Sequence, residues 1–311
     1  MPKLAPHSLL LLSLAPAVAA TIWGSTYLVT TELLPPARPL TASAIRTLPA
    51  GLLLVLFTRS FKPTVSIGRL LTLAIVNIGA FQALLFVAAY RLPGGLAAIV
   101  GALQPLIVLL FAWVVDQERP PRIALGATVS GVLGMALLFL SSTAQLDLVG
   151  IIAALAGTIS MAAGTFLARR WRNEMPVLAF TGWQLGLGGA MLMPLALWLE
   201  PPLPPLSSAN GFGYAYLVIV GTLFAYSLWF WGISRLQPVA VSALGLLSPI
   251  TAIVLGWFAL NQQLGGREVA GILLVFASIG IFQLRLPLSP SLRTEPQMSR
   301  SEKVLNRPVA R

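Results

Sequence analysis

The sequence lacks cysteine altogether, and it has few charged residues and a single histidine. Without cysteine there are no disulfides, thiolate metal ligands or cysteine nucleophiles. Charged residues make up 9% of the 311 residues, whereas soluble domains carry about 25%. The acidic residues lie at the ends of apolar runs, between them or in the last stretch of the chain. No catalytic pair of acids, metal cluster or Ser-His-Asp set is therefore expected within the apolar segments, and we expect neither an enzyme nor a metal or cofactor.

Long apolar runs, by contrast, fill most of the chain. Hydrophobic residues make up 57% of it, and the mean hydropathy is +0.86. A helix that crosses a bilayer needs about 20 mostly apolar residues. The sequence therefore predicts an all-α polytopic membrane protein, with ten transmembrane helices near residues 9–33, 40–58, 67–89, 94–115, 123–141, 148–168, 176–198, 212–233, 238–260 and 268–284.

The basic residues indicate how these helices are oriented. If successive helices alternate in direction, all lysines and arginines except Arg38, Arg46, Arg91 and Arg267 fall on one side or in the termini. Cytoplasmic loops are enriched in basic residues, so both termini are expected in the cytoplasm and the protein in the inner membrane. The net charge of +11 is then explained by loops beside anionic lipid headgroups, and nucleic-acid binding is not expected.

The two ends of the chain are expected to lie outside the membrane. Residues 1–8 form the predicted cytoplasmic N-terminus, and residues 285–311 a basic, disordered cytoplasmic tail. The beginning of the chain also resembles a signal peptide, with a basic Lys3, an apolar stretch at 9–14 and an Ala-Val-Ala cleavage pattern at 17–19. An internal repeat argues against cleavage, because the matching later segment is itself a predicted helix.

That repeat divides the predicted helices into two halves, residues 9–141 and 148–284. An offset of 137 residues aligns Thr21-Ile22 with Thr158-Ile159. Each half holds five helices, an odd number, so the second half must enter the bilayer from the opposite side. Inverted repeats of this kind place a substrate site near the midplane, between the halves. An offset of 144 residues aligns three further pairs, Arg91 with Arg235, Gly101 with Gly245, and Pro105 with Pro249.

The paired prolines predict breaks in the fourth and ninth helices. Proline has no N–H, so the carbonyl four residues earlier, at Gly101 or Gly245, loses its partner. Such a break persists in a membrane where it faces protein or water. One interpretation is a symmetric pair of hinges that offers backbone to a substrate, and the other is ordinary kinked packing. Two side chains directly before the prolines are substrate-binding candidates that could equally bond neighbouring helices, Gln104 and Ser248.

Aromatic residues give a second set of substrate-binding candidates. Trp23, Thr26 and Tyr27 share one face of the first helix, and Tyr226 and Trp229 share a face of the eighth. Aromatic side chains of this kind suit an amphipathic or aromatic ligand, because they contact apolar faces and still offer an N–H or O–H. The alternative interpretation is helix packing or an interfacial belt.

Arg46 is the one charged residue well inside a predicted span, away from its ends. An intramembrane ionisable residue indicates a functional site by default, and arginine matches a carboxylate in a bidentate manner. Alternatively, Arg46 extends to the outer surface or pairs with Glu32. Mid-span polar or amphipathic residues complete the substrate-binding candidates, namely Asn77, Trp183 and Gln184.

Several of these segments together resemble the EamA-type transporters of the drug/metabolite transporter superfamily. The resemblance rests on Ala225-Tyr226-Ser227-Leu228-Trp229, Arg235-Leu236 and Ser248-Pro249, and on the first-half counterparts Tyr90-Arg91-Leu92, Gln104-Pro105 and Glu118-Arg119, with Trp23-Gly24-Ser25 and Arg46. It implies a ten-helix exporter of amino acids, other metabolites or drugs, with aromatic amino acid exporters as one possibility. Its implied partners are a small-molecule substrate and the lipid bilayer, and the protein would be a monomer or homodimer.

The sequence thus favours a secondary exporter that works by alternating access. A membrane-embedded enzyme would need acids or histidines within the membrane, and a sensory or structural protein would be supported by a soluble partner domain. Proton coupling through a carboxylate needs that group buried in the membrane. Since every acid lies at a membrane face or beyond it, the sequence predicts a uniporter driven by the substrate gradient.

Overall fold

A computed structural model describes residues 6–92, 96–139, 147–172, 175–260 and 265–285. Residues 1–5 and 286–311, which include most of the predicted N-terminal segment and tail, lie outside the described residues. Ten of the described helices are long and apolar enough to cross a membrane, as the sequence predicts.

The ten helices, numbered in chain order, follow the apolar runs closely. Prolines begin α2 and the first part of α9, where the missing N–H would have no helical partner in any case. The bounds are α1 (Pro6–Leu33), α2 (Pro39–Thr58), α3 (Ile67–Ala74, Ile75–Gly79 and Ala80–Arg91), α4 (Leu96–Gly101 and Gln104–Asp116), α5 (Arg122–Phe139), α6 (Leu148–Trp171), α7 (Val177–Leu199), α8 (Ser208–Val218, Ile219–Phe224 and Ala225–Arg235), α9 (Pro238–Leu244 and Leu247–Leu260) and α10 (Gly266–Arg285).

Four of these helices are interrupted, and the interruptions repeat between the halves. In α3 and α8, short π-helical segments, Ile75–Gly79 and Ile219–Phe224, begin at positions related by the 144-residue offset. In α4 and α9, two residues that lie shortly before the paired prolines are not helical, at 102–103 and 245–246. Proline and π-helical turns both disturb the regular ladder of helical hydrogen bonds, so the backbone is irregular at equivalent depths in both halves.

Packing between the helices shows the same symmetry. Helix α1 packs against α8 and α9 of the second half, and its counterpart α6 packs against α3 and α4 of the first. The pairs α2–α7 and α5–α10 are their own counterparts, since each joins a helix to its equivalent. The fold is therefore two inverted five-helix repeats that exchange contacts across a pseudo-twofold axis.

The two self-paired contacts are close because glycines line them. A Cβ atom on Gly134 of α5 would lie 2.7 Å from the carbonyl oxygen of Gly271 in α10, and a Cβ on Gly271 would lie 2.8 Å from the Gly134 oxygen. In the α2–α7 pair, a Cβ on Gly51 would overlap the backbone of Gly186. Small residues let transmembrane helices approach until their backbones touch, and these two contacts hold the halves together.

The alternating helices give the bundle two ends. We call the end that carries residues 34–38 and the start of α4 the Arg38 side, and the end that carries residues 59–66 and the start of α5 the Arg59 side. Interactions between segments distant in sequence join residues at the same end of the bundle. Arg38 donates to the Pro202 carbonyl at 2.9 Å on the first side, and the Arg69 guanidinium lies over the Trp171 ring at 5.8 Å on the second.

Candidate functional site

A cavity of about 310 Å³ lies between the two repeats, walled by α1 to α4 from the first and by α6, α8 and α9 from the second. It occupies mainly the half of the bundle nearer the Arg38 side, and its lining reaches Thr31, close to the end of α1. Small-molecule sites have volumes of about 300–1,000 Å³. The lining includes most of the candidates from the sequence: Trp23, Thr26, Tyr27, Arg46, Gly101, Gln104, Tyr226, Trp229, Gly245, Ser248 and Pro249.

Aromatic rings form the end of the cavity toward the Arg59 side. The ring of Trp23 lies 4.9 Å from that of Tyr226 and 4.9 Å from that of Trp229, centroid to centroid. Tyr226 stacks on Phe230 at 6.3 Å, and Phe230 meets Phe180 edge to face at 6.1 Å. Phe180 and Phe230 are almost fully buried. We call these five residues the aromatic floor; Trp23, Tyr226 and Trp229 line the cavity, and Phe180 and Phe230 pack behind them.

Polar side chains of α2 and α3 line the cavity next to the aromatic floor. The Ser43 hydroxyl donates to Oε1 of Gln82, and Nε2 of Gln82 donates to the Tyr226 hydroxyl, both at the long distance of 3.5 Å. Ser43 and Gln82 were not among the sequence candidates, although both are buried and line the cavity. The 144-residue offset could have revealed Gln82, because it pairs this residue with Tyr226.

Three polar atoms of the lining are buried without a hydrogen-bond partner in the described part of the chain. They are Nε of Arg46, Nε2 of Gln104 and Nε1 of Trp229. A buried donor left unsatisfied costs about 1–3 kcal/mol, and the described residues supply no acceptor to these three N–H groups. The ion pair between Arg46 and Glu32, which the sequence left open, is absent from the salt bridges of the described residues.

The breaks in α4 and α9 expose backbone to this space, but the two are not equivalent. A Cβ on Gly101 would meet nothing within 4 Å. A Cβ on Gly245 would lie 3.6 Å from the Trp229 ring and 4.0 Å from Oε1 of Gln104. The expectation of a bare carbonyl at Gly245 is wrong, because the Ser248 N–H donates to it at 3.1 Å; the turn before Pro249 supplies a nearer donor than a helix would.

Four of the candidates lie outside the lining of this cavity. Asn77 and Gln184 are buried against each other, with Nδ2 of Asn77 donating to Oε1 of Gln184 at 2.8 Å. The Trp183 Nε1–H donates to the carbonyl of Ser60 at 2.9 Å, on the Arg59 side. Pro105 is buried within α4. Mid-span polarity was therefore a misleading signal for Asn77 and Gln184, since these amides bond to each other and join α3 to α7.

Acidic side chains of the described regions hold helix ends. The Glu200 carboxylate accepts from the N–H groups of Leu40 and Thr41, at 2.5 Å and 2.7 Å, and so caps α2. Asp147 caps α6 by accepting from the Gly150 N–H at 2.9 Å. This bond, with the Arg91 guanidinium beside it, holds the pKa of the Asp147 carboxyl below its ordinary value. Negative charge at a helix N-terminus is favourable, so these carboxylates have structural roles.

Ten spanning helices in two inverted repeats around a central cavity define a membrane transporter of the inverted-repeat class. The EamA-like transporter family matches residues 10–140 and 148–283, and the chain belongs to that family. The two matched segments coincide closely with the two five-helix repeats.

Individual relatives agree with this assignment, and a solved structure shares the fold. Protein PecM of Dickeya dadantii (strain 3937) is 42% identical over 85% of this chain and 90% of its own length. The "Probable amino-acid metabolite efflux pump" of Salmonella typhimurium (strain LT2) is 24% identical over 86% of this chain and 94% of its own length. A crystal structure that covers 88% of this chain and 97% of its own superposes with a TM-score of 0.73 at 19% identity, which shows the fold.

Proposed function

We propose that the protein is a secondary exporter of the inner membrane that carries small amphipathic metabolites out of the cytoplasm by alternating access. Aromatic amino acids and compounds of similar shape are the first candidates. The observation that carries the proposal is the cavity between the repeats, because its wall combines an aromatic floor with Arg46 and Gln104. The rings can contact an apolar part of a substrate, and Arg46 and Gln104 offer hydrogen-bond donors to a polar part.

The proposed orientation places the Arg59 side in the cytoplasm. The basic residues favour it, as both termini and most arginines then lie inside. In this orientation the cavity belongs to an outward-facing state, and the aromatic floor is the closed inner gate. Retention of α1 is part of the proposal, because Trp23 and Thr26 of that helix line the cavity.

The inward-facing state requires the aromatic floor to part while the Arg38 side closes. Rocking of one repeat against the other produces this exchange in transporters with inverted repeats. The breaks at 102–103 and 245–246 adjoin the cavity and are related by the pseudo-twofold axis, so they are suited to act as a pair of hinges. Pro105 and Pro249 keep these hinges from closing into regular helix.

An export assay in intact cells tests the proposal. Cells that express the protein should tolerate a toxic aromatic amino acid analogue, such as 4-fluorophenylalanine, better than cells that lack it. Trp229→Ala should remove this protection, whereas Trp198→Ala should not, because Trp198 is 81% exposed at the end of α7. Equal tolerance with wild type, Trp229→Ala and empty vector, across a panel of toxic aromatic amino acid analogues and toxic amino-free aromatic carboxylates, would refute the export proposal.

A further inference from the structure

The charge of the cavity lining is one-sided. Arg46 is the one residue of the lining with a full charge, and neither aspartate nor glutamate is among the described residues that form it. The three buried atoms of the lining that lack a partner, on Arg46, Gln104 and Trp229, are all N–H donors. An isolated cation in a low-dielectric site favours an anion and repels a second cation.

The acceptors around the cavity are already engaged or are neutral. Oε1 of Gln82 accepts from Ser43, and the Gly221 carbonyl accepts from Nε1 of Trp23 at 3.0 Å. Thr26 and Thr158 donate their hydroxyl protons to carbonyls of their own helices, at 2.7 Å and 2.8 Å. A substrate ammonium would therefore meet only neutral oxygens, in a space that holds a guanidinium.

From this imbalance we propose that the cavity takes a small organic monoanion, an aromatic carboxylate without an α-ammonium group, and selects against the corresponding amino acid. The carboxylate binds at Arg46, a neighbouring acceptor such as a carbonyl oxygen meets Gln104 or Trp229, and the ring lies on the aromatic floor. This inference rests on the proposed function, export of small amphipathic metabolites, and changes the order of its candidates by placing amino-free aromatic carboxylates ahead of the amino acids.

A charged substrate changes what drives the transport cycle. Arg46 stays with the protein in both states, so each outward step moves one negative charge. Moving one charge through 100 mV is worth about 2.3 kcal/mol, which corresponds to roughly a 50-fold concentration ratio. An inside-negative membrane would thus drive the anion out without a coupled proton.

Binding calorimetry on the purified full-length protein tests the charge preference with three ligands that share a phenethyl body. These are 3-phenylpropanoate (an anion), L-phenylalanine (a zwitterion) and phenethylamine (a cation). Since the ammonium of phenylalanine would leave a hydrogen bond to a charged group unmade, a loss of about 1.5–3 kcal/mol, we expect the anion to bind at least about tenfold more tightly than phenylalanine. Phenethylamine should bind most weakly, and phenylpyruvate, with its added carbonyl, most tightly.

Variants of one arginine and a matched control separate charge from fold. Arg46→Gln should lose at least about tenfold in affinity for 3-phenylpropanoate and leave the weak binding of phenethylamine unchanged or improved. Arg46→Lys should retain part of the affinity. Arg122→Gln, at an exposed residue that begins α5, should behave as wild type. Tighter or equal binding of phenylalanine by the wild type, or no binding of any of the four ligands, would overturn the inference.

Proteoliposomes under potassium diffusion potentials test the consequence for transport. With valinomycin, an inside-positive potential should raise the uptake of 3-phenylpropanoate and an inside-negative potential should lower it. Passive entry of the neutral acid into protein-free vesicles is insensitive to the potential and provides the baseline. Equal uptake at both polarities would overturn electrogenic anion transport. Anion binding without any protein-dependent flux would instead refute the transport proposal and leave the anion site standing.

Discussion

The two halves of the molecule share their backbone irregularities and differ in the side chains around them. Both have a π-helical segment in the third helix and a break in the fourth, each pair at the same offset or within a residue of it. At equivalent positions, however, Gln82 faces Tyr226, and Gln104 corresponds to Ser248. Symmetric backbone suits a motion in which the halves exchange roles, whereas unequal side chains suit the binding of an asymmetric ligand.

Hydrogen bonds between the halves show the same contrast. In one, Nε1 of Trp23 donates to the carbonyl of Gly221 in the π segment of α8, at 3.0 Å. In the other, the Ser160 hydroxyl donates to the carbonyl of Val76 in the π segment of α3, at 2.8 Å. The 137-residue offset pairs Trp23 with Ser160. The wide turn of a π segment leaves a carbonyl oxygen without its helical partner. A side chain from the opposite half donates to this oxygen in each case, a tryptophan in one and a serine in the other.

The largest expected effects concern the glycine contact on the pseudo-twofold axis. Gly134→Ala and Gly271→Ala should destabilise the protein equally, by about 1–3 kcal/mol, because each added Cβ would collide with the backbone of the opposite helix. Thermal unfolding in detergent measures this. Gly126→Ala in α5 is the control, since a Cβ there would meet nothing within 4 Å. A clear difference between the two glycine variants would contradict the symmetry of this contact.

Replacing the paired prolines should separate transport from stability. Pro105→Ala and Pro249→Ala each supply an N–H that can restore the helical bond to Gly101 or Gly245, which straightens the hinge and slows transport several-fold while membrane levels stay normal. Pro105→Ala should have the larger effect, because the Gly245 carbonyl already accepts from Ser248. Initial rates of export by both variants, set against protein levels, test this, and wild-type rates in both would show that the breaks are packing features.

Loss of either side chain that donates to a π segment should lower stability by a similar, smaller amount. Only one of the two losses should also change ligand binding. Trp23→Phe and Ser160→Ala should each lower stability by about 0.5–1.5 kcal/mol, the contribution of one hydrogen bond. Only Trp23→Phe should change ligand affinity as well, because Trp23 lines the cavity. Unfolding and binding measurements on the same two preparations test both parts. Equal loss of affinity in Ser160→Ala would show that the π segments themselves shape the site.

Sequence reasoning predicted the features that depend on composition and periodicity. Apolar length gave ten helices, the offset identities gave the repeat, and Pro105 and Pro249 indicated where α4 and α9 break. The π segments were not predicted, since Ile75–Gly79 contains no residue that forces a wide turn. Their position depends on packing of Asn77 against Gly164 and of Ile78 against Gly188, contacts that exist only after folding.

Members of the candidate site could be predicted from the sequence where they share one face of a helix. They could not be predicted where contacts between helices determine which polar side chains face the cavity. Trp23, Thr26 and Tyr27 share one face and line the cavity together. Asn77 and Gln184 looked equally functional, because polarity in mid-membrane indicates a site by default. Their partners are each other, at 2.8 Å. A single sequence does not show which polar side chains satisfy one another, so it overstates the number of ligand-binding candidates.

The smallest expected effect is that of a pH gradient on transport. From the acidic residues of both halves we expect no effect at all. Proton coupling needs a carboxyl that changes protonation as the cavity alternates. Glu200, which follows α7, and Asp147, which precedes α6, instead cap α2 and α6. The lowered pKa of Asp147 keeps it ionised at neutral pH.

Proteoliposome uptake of a permanently charged or zwitterionic substrate should therefore be unchanged by an imposed pH difference between about pH 6 and 8, where an ordinary carboxyl stays ionised. Glu200→Gln should lower stability through loss of the α2 cap and leave this insensitivity intact. Accumulation against the substrate gradient, driven by the pH difference alone, would contradict uniport. The proton would then have to travel through a group of the cavity wall, and Arg46 with its hydration would be the first place to look.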